Sequence, residues 1–281
     1  MTAYAMEQLD HDGHQLAVHR YPAETGSAIV MLPAMGVPAR YYKRFAPQLV
    51  DAGFDVTIAD LRGTGASAPL PSRGVDYGYA ELIGDLDVLL EHLAPRLEGK
   101  RVSLLGHSLG GHIATLYLAA LHRRSTPPPV DVEALMLVAS GIPHHRHYGL
   151  VGPFLYGYAA MTVGLSTLVG HWPGRTFGGR QSHGIMRDWA HTVRTGSFVD
   201  IGADSATDLA TVDVPVLAVT VDNDSFTPPS TARHLTDRLT AAAVTTFHYG
   251  KDQTDAPLDH FKWAQDGQTI ANRIADFLKR D

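Results

Sequence analysis

Gly106-His107-Ser108-Leu109-Gly110 places a serine between two glycines where an apolar run from Arg101 gives way to a helical pattern from Leu109 to Arg124. A strand that enters a helix through so tight a turn presents its serine, because the flanking glycines remove side chains that would collide. The hydroxyl is a weak nucleophile at its own pKa and needs a neighbouring base. The N–H of Leu109, at the mouth of a helix whose dipole favours negative charge, faces the place where an oxyanion would develop. The chemistry these five residues predict is nucleophilic attack by Ser108 once a base takes its proton. Asp222 and Asp224 are candidate carboxylates in "VTVDNDSFTPP", and each would also suit a turn or a helix cap. Among 16 histidines, His248 falls inside an extended run, whereas His260 follows a polar loop and opens the last helical segment.

Such groups need a rigid frame. Short apolar runs rich in β-branched residues recur at Ser27 to Leu32, Phe54 to Asp60, Arg101 to Gly106, Val132 to Ala139, Val214 to Val221 and Ala243 to Tyr249. Segments with helical spacing separate most of them. Alternation of this kind predicts crossover units, hence an α/β architecture with a mostly parallel sheet and helices on both faces. Before the first run, two alternating segments flank Asp12-Gly13, a pair that tolerates positive φ, which predicts a β-hairpin. The alternation lapses from Gly141 to about Asp208. Within that interval His147 to His171 is uncharged but for its terminal histidines and as long as a membrane span, but its glycines, Pro153 and its position between two strands predict a greasy lid over a pocket.

With the elbow in this setting the sequence resembles the α/β-hydrolase superfamily over nearly its whole length. "DLRGTGAS" (Asp60 to Ser67) looks like that family's loop D-x-R-G-x-G-x-S. Within the family, the resemblance is to the serine-nucleophile branch of serine aminopeptidases and monoacylglycerol lipases, which carry a helical cap between the sixth and seventh strands. The implied division is a hydrolase core, 1–140 and 209–281, and a cap, 141–208. It also implies the order Ser, Asp, His along the chain. The family's spacing to the following Pro-Pro selects Asp224 over Asp222, and its H-F-x-W arrangement selects His260. A second oxyanion donor is implied at Met35, although "LPAMG" puts Pro33 and Ala34 where the family usually has His-Gly. An alanine there confines the backbone to negative φ unless it is strained.

The chain of 281 residues is 44% hydrophobic with a formal charge of −6, so it lacks the basic footprint of a nucleic-acid binder. It has no cysteine, hence no disulfide or thiol nucleophile. His144, His145 and His147 crowd one short segment without acidic neighbours and read as solvated loop; no metal and no cofactor are expected. No basic segment followed by an apolar core opens the chain, which predicts a cytoplasmic protein without an integral membrane segment. The expected partner is a small-molecule acyl or aryl ester, with a thioester, an acyl acceptor other than water or a peptide as alternatives, and a non-catalytic receptor as the reading from another class. Tyr156, Tyr158, Trp172 and Trp189 are expected to supply aromatic wall. Arg146, Arg175, Arg180 and Arg187, without any Asp or Glu between Gly141 and Arg187, predict preference for neutral or anionic substrates over cationic ones.

Overall fold

Asp12 and Gly13 both adopt positive φ, 50° and 72°, and turn β1 (Ala5–His11) back on β2 (His14–Tyr21) as an antiparallel hairpin. The computed structural model describes residues 2–200 and 208–279; residues 1, 201–207 and 280–281, which belong to the expected core and cap, lie outside the described residues. The remaining strands are β3 (Ser27–Leu32), β4 (Asp55–Ala59), β5 (Arg101–His107), β6 (Val132–Val138), β7 (Val216–Val221) and β8 (Val244–Tyr249). They form one eight-stranded sheet in the order β1-β2-β4-β3-β5-β6-β7-β8, parallel from β4 onward.

The apolar runs are continuous because both faces are covered. Along β3, Val30 and Leu32 join the core beneath α2 (Tyr79–Leu97) and α3 (Leu109–Leu121), while Ile29 and Met31 join the core beneath α1 (Phe45–Asp51) and α7 (Gln268–Leu278). Two expected helices are shorter than their patterns. The first is preceded by a separate 3-10 turn at Ala39–Tyr42, and the last is broken at Gly267 between a 3-10 turn at Lys262–Gln265 and α7.

Between β6 and β7 the chain inserts α4 (Gly152–Val169) and α5 (His183–Thr195). α4 presents a small-residue stripe, Ala159, Thr162 and Ser166, that is buried, and leaves Phe154 and Leu168 exposed. Among the described residues no helix is long and apolar enough to cross a membrane. The insertion is tied down by two reciprocal caps. Asp188 of α5 accepts from Tyr79 N–H at the start of α2 at 2.8 Å, and Asp76, just before α2, accepts from Gly184 N–H at the start of α5 at 2.8 Å. α6 (Pro229–Thr236) completes the crossover from β7 to β8.

The "DLRGTGAS" loop works as a staple. The buried Asp60 carboxylate accepts from Ala39 N–H at 2.5 Å, Ala66 N–H at 2.8 Å and His19 Nε2–H at 3.2 Å. Arg62 lays its guanidinium on Asp85 of α2 through Nε and Nη2, at 2.9 and 2.5 Å. Removing the Asp60 acceptor strands the Ala39 N–H and the His19 ring N–H in the interior. Asp60→Ala is therefore expected to cost about 3–5 kcal/mol, read as a lowered midpoint in urea denaturation with an unchanged slope.

Candidate active site

Ser108 sits between β5 and α3 at φ 53° and ψ −115°, a left-handed backbone that a non-glycine residue holds only when its surroundings impose it. The surroundings are backbone packed on backbone. A Cβ on Gly106 would lie 2.3 Å from Gly111, and one on Gly110 would lie 2.1 Å from Leu32 O, so both elbow positions require glycine. Ser108 N–H donates to Val138 O at 3.1 Å and Ser140 Oγ donates to Ser108 O at 2.8 Å, which fixes the turn against β6. Its hydroxyl projects into a cavity. Leu109 is the first residue of α3, so its N–H is one of the donors that the helix leaves unpaired.

Asp224, His260 and Ser108 come together from separate loops. His260 Nδ1 lies 2.9 Å from Asp224 Oδ2, and His260 Nε2 lies 3.0 Å from Ser108 Oγ. The Asp224 side chain is fully enclosed and its oxygens also accept from Phe226 N–H (2.9 Å), Thr227 N–H (2.8 Å) and Thr227 Oγ1. A carboxylate so surrounded accepts only, so Nδ1 carries the proton and the Nε2 lone pair faces the serine hydroxyl. Asp222 and His248 pair with each other instead, at 3.0 Å on the exposed side of β8. Two Asp–His pairs thus lie side by side in sequence, and only one of them reaches Ser108.

A buried relay, invisible in the sequence, joins the base to the turn after β3. His107 Nε2–H donates to His260 O at 2.8 Å, which leaves Nδ1 to accept from Tyr42 Oη–H at 2.7 Å; Tyr42 Oη in turn accepts from Ala34 N–H at 3.1 Å. Burial pushes the His107 imidazole well below its usual range, so it stays neutral and keeps one donor and one acceptor. With Ala34 N–H committed to Tyr42, Met35 supplies the next backbone donor along that turn. Ala34 is not among the residues of positive φ; Gly36, at φ 69°, takes the left-handed position, so the alanine is accommodated without strain. What could have flagged His107 is its place inside the elbow; nothing local flags Tyr42.

The cavity over Ser108 has a volume of about 410 Å³. Its floor is Ser108, His260, Met35 and Leu109, and one wall is Val151, which caps α4, with Phe154, Leu155 and Tyr158 from one face of that helix. The aromatic residues expected there divide evenly. Tyr158 and Trp189 line it, as do the unanticipated Phe177, Phe226 and Tyr148. Tyr156 instead turns outward against His145 and Arg194, and the buried Trp172 stands behind the wall, edge-on to Tyr158 with its indole N–H on Phe177 O at 2.8 Å. Helix phase decides the first case, since residues 156 and 158 face different sides of α4. Among the described residues no Asp, Glu, Lys or Arg lines the cavity. The arginines expected at its entrance are engaged elsewhere or exposed: Arg187 pairs with Asp188 and Arg180 donates to Pro71 O.

An eight-stranded, mostly parallel sheet with a serine at the turn from β5 to α3 is the α/β-hydrolase fold. Solved structures with the same fold include an esterase from Pyrococcus furiosus (TM-score 0.63, 16% identity, covering 99% of this chain and 90% of that one). A hydrolase from Pseudomonas aeruginosa (TM-score 0.61, 21% identity, 97% and 98%) and the thioesterase domain of the curacin biosynthetic pathway (0.60, 15%, 96% and 99%) are also similar. A protein of Mycobacterium phage D29 that carries a provisional non-heme haloperoxidase name is 28% identical over 121 residues, 43% of this chain but only 39% of that protein's length. Residues 23–251 match the family described as "Serine aminopeptidase, S33", and the chain belongs to that family of α/β-hydrolases. It is a hydrolase.

His112 lines the cavity, donates Nε2–H to Gly141 O at 2.8 Å and is held by burial at a pKa of about 4 against an ordinary 6.5. Unfolding releases it to water, so between pH 6.5 and about 4 the unfolded chain binds a proton that the folded chain does not. Stability therefore falls as pH falls through that window, by roughly 3 kcal/mol from this residue, and its contribution is flat above it. His112→Gln, which can still donate to Gly141, is expected to flatten the dependence of the urea midpoint on pH over the same window; an unaltered slope would refute the assignment.

Proposed function

We propose that this hydrolase cleaves carboxylic esters of small to medium-sized acyl or aryl groups through an acyl-serine intermediate. The observation that carries the reading is the Ser108 hydroxyl 3.0 Å from the His260 Nε2 on the floor of a cavity whose wall, among the described residues, holds no Asp, Glu, Lys or Arg. His260 takes the hydroxyl proton as Ser108 Oγ attacks the acyl carbon, and returns it to the departing alcohol; water then repeats the sequence and releases the acid. Asp224 holds the imidazole in the required tautomer and stabilises its charged form. The N–H groups of Met35 and Leu109 receive the oxyanion. No metal or cofactor enters these steps. The helices between β6 and β7 act in this reading as the cap, whose Val151, Phe154, Leu155 and Tyr158 hold the acyl or aryl group.

The lining also bears on the charge of the substrate. An aminopeptidase needs a group to receive an α-ammonium, and among the described residues the carboxylate beside the cavity, Asp224, already accepts four hydrogen bonds. Recognition of anions by arginines finds no support either, since none of the four reaches the cavity. Neutral apolar substrates are the class that fits.

The test is turnover of p-nitrophenyl acetate, butyrate and longer esters together with labelling by a fluorophosphonate probe. Ser108→Ala is expected to abolish labelling and to lower kcat by about 10³-fold or more, as removal of one member of such a set does. Labelling without turnover in the unaltered chain would favour a receptor. Asp224→Asn and His260→Ala are expected to cripple kcat by a comparable factor, while Asp222→Asn and His248→Ala stay within about threefold of the unaltered chain. A larger loss from His248→Ala than from His260→Ala would overturn the assignment.

A further inference from the structure

His144, His147 and His234 converge although 87 residues separate the last two, and their ring nitrogens all lie within 4.8 Å of one another. The segment that reads as solvated loop is in fact half-buried and turns through a 3-10 helix at His145–Val151. His144 and His147 stand where the chain leaves the core for α4, and His234 lies on α6, which follows the Asp224 loop. The third partner was hidden because it comes from beyond β7.

The tautomers of this cluster are set by the backbone. His234 Nε2–H donates to Gly196 O at 3.0 Å, and Gly196 is the left-handed residue that ends α5. Its Nδ1 lone pair accepts from His147 Nε2–H at 2.5 Å, so His147 moves its proton to Nδ1 when Nε2 takes up an ion. A histidine whose second nitrogen is fixed by a carbonyl is the arrangement that orients imidazole ligands at metal sites. Bonds of 2.0–2.1 Å at tetrahedral angles would separate ligand nitrogens by about 3.4 Å, a value bracketed by the 2.5 Å and 4.8 Å found here.

Charge is the opposing consideration. Arg238 faces the cluster from beyond α6, with its guanidinium on His234 O (2.7 Å) and Gly196 O (3.3 Å), and Arg146 and His145 flank it on the chain. Among the described residues, Asp237 offsets them at His234. Arg238 is committed to the carbonyls of His234 and Gly196 rather than to the ring nitrogens. Three imidazoles without a carboxylate select a borderline transition ion over Mg²⁺ or Ca²⁺.

We propose that His144, His147 and His234 form a binding site for a divalent transition-metal ion of the Zn²⁺ or Ni²⁺ kind, separate from Ser108, that joins the first residues of the insertion to α6. Through the Gly196 carbonyl the same site reaches the end of α5, so one ion would link the start of the insertion, the end of α5 and α6. This does not depend on the chemistry proposed for Ser108.

The experiment is a titration of the full chain, free of any polyhistidine tag, with ZnCl₂, NiCl₂ and MgCl₂ near neutral pH, following stoichiometry by elemental analysis after dialysis and Tm by calorimetry. One Zn²⁺ or Ni²⁺ per chain is expected and no Mg²⁺, with Tm raised by roughly 5 °C at a hundredfold excess over Kd. His147→Gln and His234→Gln are each expected to weaken binding at least about tenfold, and His145→Gln to leave it unchanged. Far-UV circular dichroism establishes that the variants are folded. X-ray absorption of the Zn²⁺-loaded unaltered chain should show three imidazoles in the first shell, a readout that needs no variant. A Kd weaker than roughly 1 mM, binding that survives either substitution, or fewer than three imidazoles would overturn the site.

Discussion

Everything around the elbow answers to the backbone of Ser108, held at φ 53° and ψ −115° between a strand and a helix. That conformation costs about 1–3 kcal/mol and survives only where its neighbours leave no alternative. Here the neighbours are main chain. Gly106 lies on Gly111, Gly110 lies on Leu32 O, and β5 is locked centrally in the sheet between β3 and β6. The same close approach brings the turn after β3 beside the start of α3, and Met35 and Leu109 both line the cavity over the serine. The strain is therefore shared by the most rigid part of the molecule.

A second layer of order comes from polar groups that the interior cannot leave unpaired. His107 accepts from Tyr42 and donates to His260 O, while Tyr42 accepts from Ala34 N–H, so the loop carrying the imidazole and the turn carrying Met35 are adjusted to each other through one neutral ring. Asp60 does the same for the loop after β4 by taking the N–H of Ala39. Neither network touches the cavity contents. Each removes a degree of freedom from groups that do, and hydrogen bonds between buried partners are effective here because water is not present to compete.

The insertion between β6 and β7 follows a different logic. It contributes apolar side chains from one face of α4, and polar groups fasten it to the core along its length: the reciprocal caps between α2 and α5, Ser182 Oγ on Tyr77 O, Arg180 on Pro71 O, Arg73 on Leu168 O, Tyr148 on Phe226 O and the histidine cluster with Gly196.

The sequence by itself determined the sheet and the elbow, because both are written in short range. Apolar runs separated by helical spacing can be satisfied only by strands covered on both faces, and a serine flanked by Gly106 and Gly110 leaves a turn that no other residue pattern would need. It also pointed to Ser108, Asp224 and His260 through motif and register, though two adjacent Asp and two neighbouring His could be separated only by resemblance. Tertiary structure alone decided that Asp222 and His248 pair with each other on the outside of β8, that Tyr156 and Trp172 miss the cavity, and that His234 meets His144 and His147. The reason is the same in each case. Helix phase and loop closure turn residues that are close in sequence toward opposite sides and bring distant ones together, and that geometry is fixed by packing across the sheet, which no local pattern encodes.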